Sequence, residues 1–156
     1  MRISFFIWLF SLAVGVNAQK IDERQVPPQV VGIVKANCLS GDSVVWYKHF
    51  TIYQARIFSK TEGPERHIQL TESGNTILKE LSVEVAGLPN LITQFIVKNF
   101  PTMEICRAFL VEHFEMPQVR YRLEIGEAEV LFDSQGDFIQ ISQRILWEEP
   151  FTAVAR

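Results

Sequence analysis

Val26-Pro27-Pro28-Gln29-Val30-Val31-Gly32-Ile33-Val34-Lys35-Ala36-Asn37 and Leu88-Pro89-Asn90-Leu91-Ile92-Thr93-Gln94-Phe95-Ile96-Val97-Lys98-Asn99 are two versions of one layout. Each opens on an apolar residue and proline, and each ends on asparagine. Further on, Ser73-Gly74-Asn75 and Gln135-Gly136-Asp137 close the two segments. Val26 and Leu88, Asn37 and Asn99, and Gly74 and Gly136 are all 62 residues apart. A spacing kept at both ends of two units that share few identical residues points to duplicated supersecondary units around one core.

Each opening segment reads as a helix. Proline is harmless in a first helical turn, where its missing N–H has no partner anyway. Val30, Ile33 and Val34 form the three-and-four spacing of a helix lying on an apolar surface, and Leu91, Ile92, Phe95 and Ile96 repeat it. Strands follow. The first unit has them over 43–49, 52–59, 66–71 and 76–83. The second has them over 104–113, 119–125, 128–132 and 138–145. Val119-Arg120-Tyr121-Arg122-Leu123-Glu124-Ile125 alternates throughout, as a strand with one buried and one wet face does. Tyr53 and Tyr121 take equivalent places but lie 68 apart. Loop insertions at Glu115-Met116-Pro117 and at Thr61 to Pro64 account for the difference and cancel. The expected fold is α+β: two tandem α-β4 repeats forming one antiparallel sheet with both helices on one face. The repeats are placed at 26–85 and 86–145.

Residues 1–18 are set apart from the fold. Arg2, the apolar stretch Ile3 to Val16 and the small-residue site Val16-Asn17-Ala18 match a secretory signal peptide. The apolar run is shorter than the roughly 20 residues a membrane span needs, so no span is expected after cleavage. Residues 19–25 are polar and are read as a flexible leader; residues 146–156 form a C-terminal tail. Without the first 18 residues, 14 basic and 18 acidic side chains remain, a net charge of −4. That balance lacks the basic footprint of a nucleic-acid binder. Export would permit a disulfide between Cys38 and Cys106. Two thiols packed as small hydrophobes is the plainer and preferred reading.

The openings Val26-Pro27-Pro28 and Leu88-Pro89-Asn90, with Val44-Val45-Trp46, Lys98-Asn99-Phe100-Pro101 and Phe132-Asp133-Ser134-Gln135-Gly136-Asp137-Phe138, resemble the PepSY-like repeats of secreted Bacteroidetes-type proteins. That family is similar in fold to the secreted β-lactamase-inhibitor protein. The resemblance covers about Val26 to Ile141. The first unit departs from it at Cys38-Leu39, where the family has an aromatic residue and proline, and at Thr71-Glu72, where it has aspartate. The resemblance carries no catalytic residues. It implies a non-enzymatic, inhibitor-like binding module in the periplasm or outside the cell.

No chemical motif competes with that expectation. His49, His67 and His113 lack the close spacing of zinc signatures and read as solvated strand-end residues. There is no Gly-x-Ser-x-Gly, no phosphate-cradling glycine loop and no thiol signature. Glu124, Glu127 and Glu129 cluster at one hairpin, where exposed charge outweighs a paired-carboxylate site. No cofactor is expected. The best candidate for function is the sheet face turned away from the helices: Arg120, Arg122 and Glu124 in the second unit, Gln54 and Arg56 in the first. The expected partner is a protein or another envelope component. A small-ligand or metal carrier with a cleft between the repeats is the alternative, and a small hydrolase comes third.

Overall fold

The computed structural model describes residues 18–60 and 63–143. The expected signal peptide apart from Ala18, the loop positions Thr61 and Glu62, and the C-terminal tail over 146–156 lie outside the described residues. The chain forms β1 (Gln19–Ile21), α1 (Pro28–Ala36), β2 (Ser43–His49), β3 (Ile52–Phe58), β4 (Arg66–Thr71), β5 (Thr76–Ser82), α2 (Asn90–Asn99), β6 (Arg107–His113), β7 (Met116–Ile125), β8 (Ala128–Phe132) and β9 (Phe138–Gln143). Short 3-10 turns at Glu23–Gln25 and Val85–Gly87 precede the helices. Among the described residues the fold is α+β, a nine-stranded sheet in the order β1 to β9 with every neighbouring pair antiparallel.

Strand register places both helices on one face. Val30 and Val34 of α1 pack with Trp46, Tyr53, Ala55, Ile57, Ile68 and Leu70. Ile68 pairs with Lys79, Lys79 with Glu112, and Leu81 with Leu110, which pairs with Tyr121. Paired residues share a face, so this row leads to the side chains under α2. There Ile92 and Ile96 pack with Ala108, Leu123, Ile125, Val130 and Phe132. Among the described residues the core is therefore two clusters, one beneath each helix, and not the single shared core expected of a duplicated unit. The sheet joins them.

The conformations match at corresponding positions. Pro27 and Pro89 both cap their helices in extended backbone. Asn37 Nδ2 donates to the Ile33 carbonyl, and Asn99 Nδ2 to that of Phe95, each at 2.8 Å. Gly74 and Gly136 hold φ of +91° and +92°, a region that an L side chain enters only with strain. Each lies against its own helix: a Cβ on Gly74 would stand 2.9 Å from Ile33 Cδ1, and one on Gly136 would stand 3.3 Å from Leu91 Cβ.

Two local expectations are corrected. Residues 19–25 are not a loose leader. Gln19 to Ile21 pair with Trp46 to Lys48 at the sheet edge. Asp22 then starts the 3-10 turn: its carboxylate accepts from the Arg24 N–H, while the Gln25 side chain accepts from the Asp22 N–H. Ile21 is the only apolar residue in this strand, so alternation had nothing to reveal. The second correction concerns Glu115-Met116-Pro117. The β6–β7 turn is only Phe114-Glu115, as short as Phe50-Thr51 between β2 and β3. The extra residues lengthen β7, and a bulge between Val111 and His113 absorbs them. Proline is tolerated near a strand start.

Candidate functional site

The face opposite the helices carries an organised set of charges. Alternation in β3, β4, β5 and β7 turns Gln54, Arg56, His67, Glu80, Arg122 and Glu124 onto it. The expectation of a solvated face fails here: Gln54, Arg56, His67, Glu80 and Glu124 are each 5% exposed or less. Their long side chains lie along the sheet and over one another.

Arg122 is the centre. Its Nε and Nη2 donate to the two oxygens of Glu80 at 2.7 and 3.0 Å, and its Nη1 donates to Glu124 and Glu129 at 2.9 and 3.0 Å. To reach Glu80 it crosses β6, where its guanidinium carbon lies 4.4 Å from the centre of the Phe109 ring. Arg107 approaches the same ring, 5.1 Å away, and lies 3.6 Å from Glu124 and 4.0 Å from Glu65. His67 completes the row, with Nδ1 at 2.9 Å from Glu80 and Nε2 at 2.6 Å from Glu65. Arg56 stacks over Tyr47. The cluster thus gathers four carboxylates, three guanidinium groups and one imidazole.

Burial and partners compete at each acid. Burial raises the Glu80 carboxyl, but the His67 hydrogen bond and the Arg122 charge outweigh it and hold Glu80 below the ordinary glutamate range. Glu65 is lowered by the same balance, again with His67 as the main opponent of burial. Glu129 goes up, because burial there exceeds what Arg122 returns. Burial lowers the Arg56 guanidinium, helped by the Arg107 charge. The net result for Arg122 is a guanidinium held well above its ordinary value, the three carboxylates overcoming its burial.

A hollow of about 220 Å³ opens on this face, lined by Gln54, Arg56, Arg122 and Glu124 together with His49, Gln69 and others. Four of the five candidate contacts are thereby brought together. Arg120 stands apart, half-buried, with Nη2 directed at Met116 Sδ at 3.3 Å. Glu127 is exposed and takes no part in the cluster. At the end of the sheet that carries the β2–β3 and β6–β7 turns, Phe50 and Phe114 are 70% and 79% exposed. Phe50 holds φ of +54°, a costly conformation for a bulky residue, with its ring edge-on to His49. The opposite face has a second concavity of about 310 Å³ over β4 to β7, between the two core clusters. Ile57, Ile68, Leu81, Leu110 and Val119 line it, with Lys79 and Glu112 at its rim.

Cys38 and Cys106 are free thiols. Cys38 is half-buried at the end of α1, its Sγ 3.3 Å from the Val34 carbonyl, and burial raises its thiol above the ordinary range. Cys106 is exposed ahead of β6 rather than packed in a strand. His67 is fully buried, contrary to the solvated strand-end reading. Among the described residues no group of three His, Cys, Asp or Glu is placed to hold a metal ion. No helix among them is long and apolar enough to cross a membrane. Sequence reasoning missed Glu65, His67, Glu80 and Arg107. Alternation within β4, β5 and β6 could have given His67, Glu80 and Arg107 a face, but nothing local shows that they meet or that Glu65 joins them.

The chain matches no protein-family model and no curated protein sequence. Solved structures do match. A DUF2874 family protein from Bacteroides uniformis aligns with a TM-score of 0.62 at 14% identity, covering 76% of this chain and 89% of that one. A protein named as periplasmic from Bacteroides eggerthii gives 0.61 at 15%, covering 77% and 90%. A BLIP-like protein from Bacteroides fragilis gives 0.55 at 13%, covering 80% and 91%. At such identities the likeness is one of fold. The chain shares the α+β fold of these three Bacteroides proteins, one of them named BLIP-like, and none of the three is named as an enzyme.

Proposed function

We propose that this chain is an exported, non-enzymatic binding module of the periplasm or cell exterior. Its two α-β4 units stand in tandem, and it takes a protein partner on the uncovered sheet face and the hairpin tips beside it. The tandem reading rests on the 62-residue correspondence of the caps at Pro27 and Pro89, the turns at Gly74 and Gly136, and the 3-10 turns at Glu23–Gln25 and Val85–Gly87. The observation that carries the binding reading is a polar face already fixed by its own hydrogen bonds, with two exposed phenylalanines at its end. A surface ordered before contact loses little side-chain entropy on binding, and buried charge fixes the register of a partner. The periplasmic setting is supported by the signal-like residues 1–18 and by the names of the structural neighbours.

The test is capture of a partner from envelope extract by the mature protein and two variants, Arg120→Ala and Phe50→Ala with Phe114→Ala. One partner should bind in fixed ratio, more weakly with each variant and with added salt. Capture that is indifferent to all three changes removes this face and its tips from the reading. Intact-mass measurement of the exported form should give a chain beginning at Gln19. A second reading, a carrier of a small apolar ligand, is favoured by the concavity over β4 to β7. Native mass spectrometry of the protein from its own envelope would show the adduct, and Leu110→Trp would abolish it.

A further inference from the structure

His67 is 1% exposed, and both of its ring nitrogens face carboxylates, Glu80 from β5 and Glu65 from the end of the β3–β4 loop. Carboxylates only accept, so both contacts are hydrogen bonds only when the ring carries two protons. Arg107 of β6 and Arg56 of β3, the cross-strand partner of His67, also face the ring's surroundings, and the Phe109 ring lies 5.0 Å away. With His67 doubly protonated, the four carboxylates, three guanidinium groups and one imidazolium balance. With one proton lost, the cluster carries one net negative charge in a buried setting.

We propose that His67 is a proton-operated latch, fastening Glu65 to the uncovered sheet face when doubly protonated and releasing it when it loses one proton. The direction of release follows from the neighbours. Arg122 holds both Glu80 oxygens, so Glu80 stays in place and the remaining ring proton stays on Nδ1 facing it. Nε2 then presents a lone pair to a Glu65 oxygen 2.6 Å away, and Glu65 is the partner able to leave, since its side chain is 21% exposed against 4% for Glu80. Acidity outside the molecule is thus transmitted through His67, which lines the hollow, to Glu65. The latch stands whether or not that face binds a partner.

The reporter is the Ser82 amide, which donates to the Glu65 carbonyl at 2.8 Å. Imidazole nitrogen NMR on the intact protein, with pH raised until the ring loses a proton, should show two protonated nitrogens giving way to an Nδ1–H ring. Over the same step, Ser82 amide protection, corrected for intrinsic exchange, should fall about tenfold or more, the size of one charge-assisted hydrogen bond lost. In Glu65→Gln the side-chain amide can donate to a neutral Nε2, so Ser82 protection should not change with the ring. An Nε2–H ring at high pH, unchanged Ser82 protection in the wild type, or the same loss in Glu65→Gln would each overturn the latch. The tautomer measurement needs only the wild-type protein.

Discussion

Arg122 grips both carboxylate oxygens of Glu80, at 2.7 and 3.0 Å, across a strand that separates their own. Glu80 belongs to β5 and Arg122 to β7, so the pair spans the junction between the first four strands after α1 and the four after α2. Phe109 of β6 lies beneath the guanidinium and keeps water from that side. The contact therefore ties the two halves of the sheet at a point where neither helix provides cover.

Breaking it should be expensive. Arg122→Ala leaves Glu80 and Glu124 buried and short of their main cation. A buried pair broken on one side costs about 3–5 kcal/mol. Urea unfolding of the wild type and this variant measures it. A loss below about 0.5 kcal/mol, the tolerance of an ordinary surface position, would mean that water replaces the guanidinium freely.

That prediction reverses the one the sequence suggests, and the reversal shows where sequence reading ends. Alternation in Val119 to Ile125 assigns the faces correctly: Leu123 is buried under α2 and Arg122 points away. It does not say whether side chains on the away face are wet. Arg and Glu have stems long enough to cross a neighbouring strand, and whether they meet depends on register between segments far apart in sequence. Glu65, Glu80, Arg107 and Arg122 come from four different elements. The helices and most strands were legible because periodicity is local. β1 was not, because a three-residue edge strand with one apolar residue has no period, and its pairing with β2 lies across the whole of α1.

Leu123→Ala tests the opposite face of the same strand. Leu123 has no exposure and touches the cluster beneath α2. Removing its isobutyl group should cost about 2–5 kcal/mol through lost transfer energy and the cavity left behind. Thermal melting of this variant beside Arg122→Ala should show two large losses from side chains on opposite faces. A small loss at Leu123 would place the α2 core elsewhere.

The paired glycines give a third test. Gly74→Ala and Gly136→Ala each place a Cβ on a residue with φ near +90° and against a helix. Strain of this kind costs about 1–3 kcal/mol per site. Because the two turns share a conformation, both variants should be destabilised. One tolerant glycine and one intolerant one would show that the two turns are not equivalent in the folded protein, and would weaken the tandem reading.

Acid titration separates the carboxylates by sign. Glu80 and Glu65 are held below the ordinary glutamate value in the folded protein, each by His67 and an arginine working against burial. Their contribution to stability is present above the unfolded glutamate value and is lost as pH falls through the lower folded values. Glu129 is raised by burial, so its charge is a cost at neutral pH that is relieved as pH falls through its raised folded value. Descending from neutrality, the melting temperature should first hold or rise slightly as Glu129 takes its proton, then fall as Glu65 and Glu80 are forced to take theirs. Glu129→Gln keeps an acceptor for Arg122 and should remove the early relief while leaving the later loss. Glu80→Gln should lower stability at neutral pH and flatten the acid limb. Melting curves from about pH 7 to about pH 3 on the three proteins measure this. An acid limb in Glu80→Gln as steep as that of the wild type would show that Glu80 is not the carboxylate whose protonation loosens the sheet.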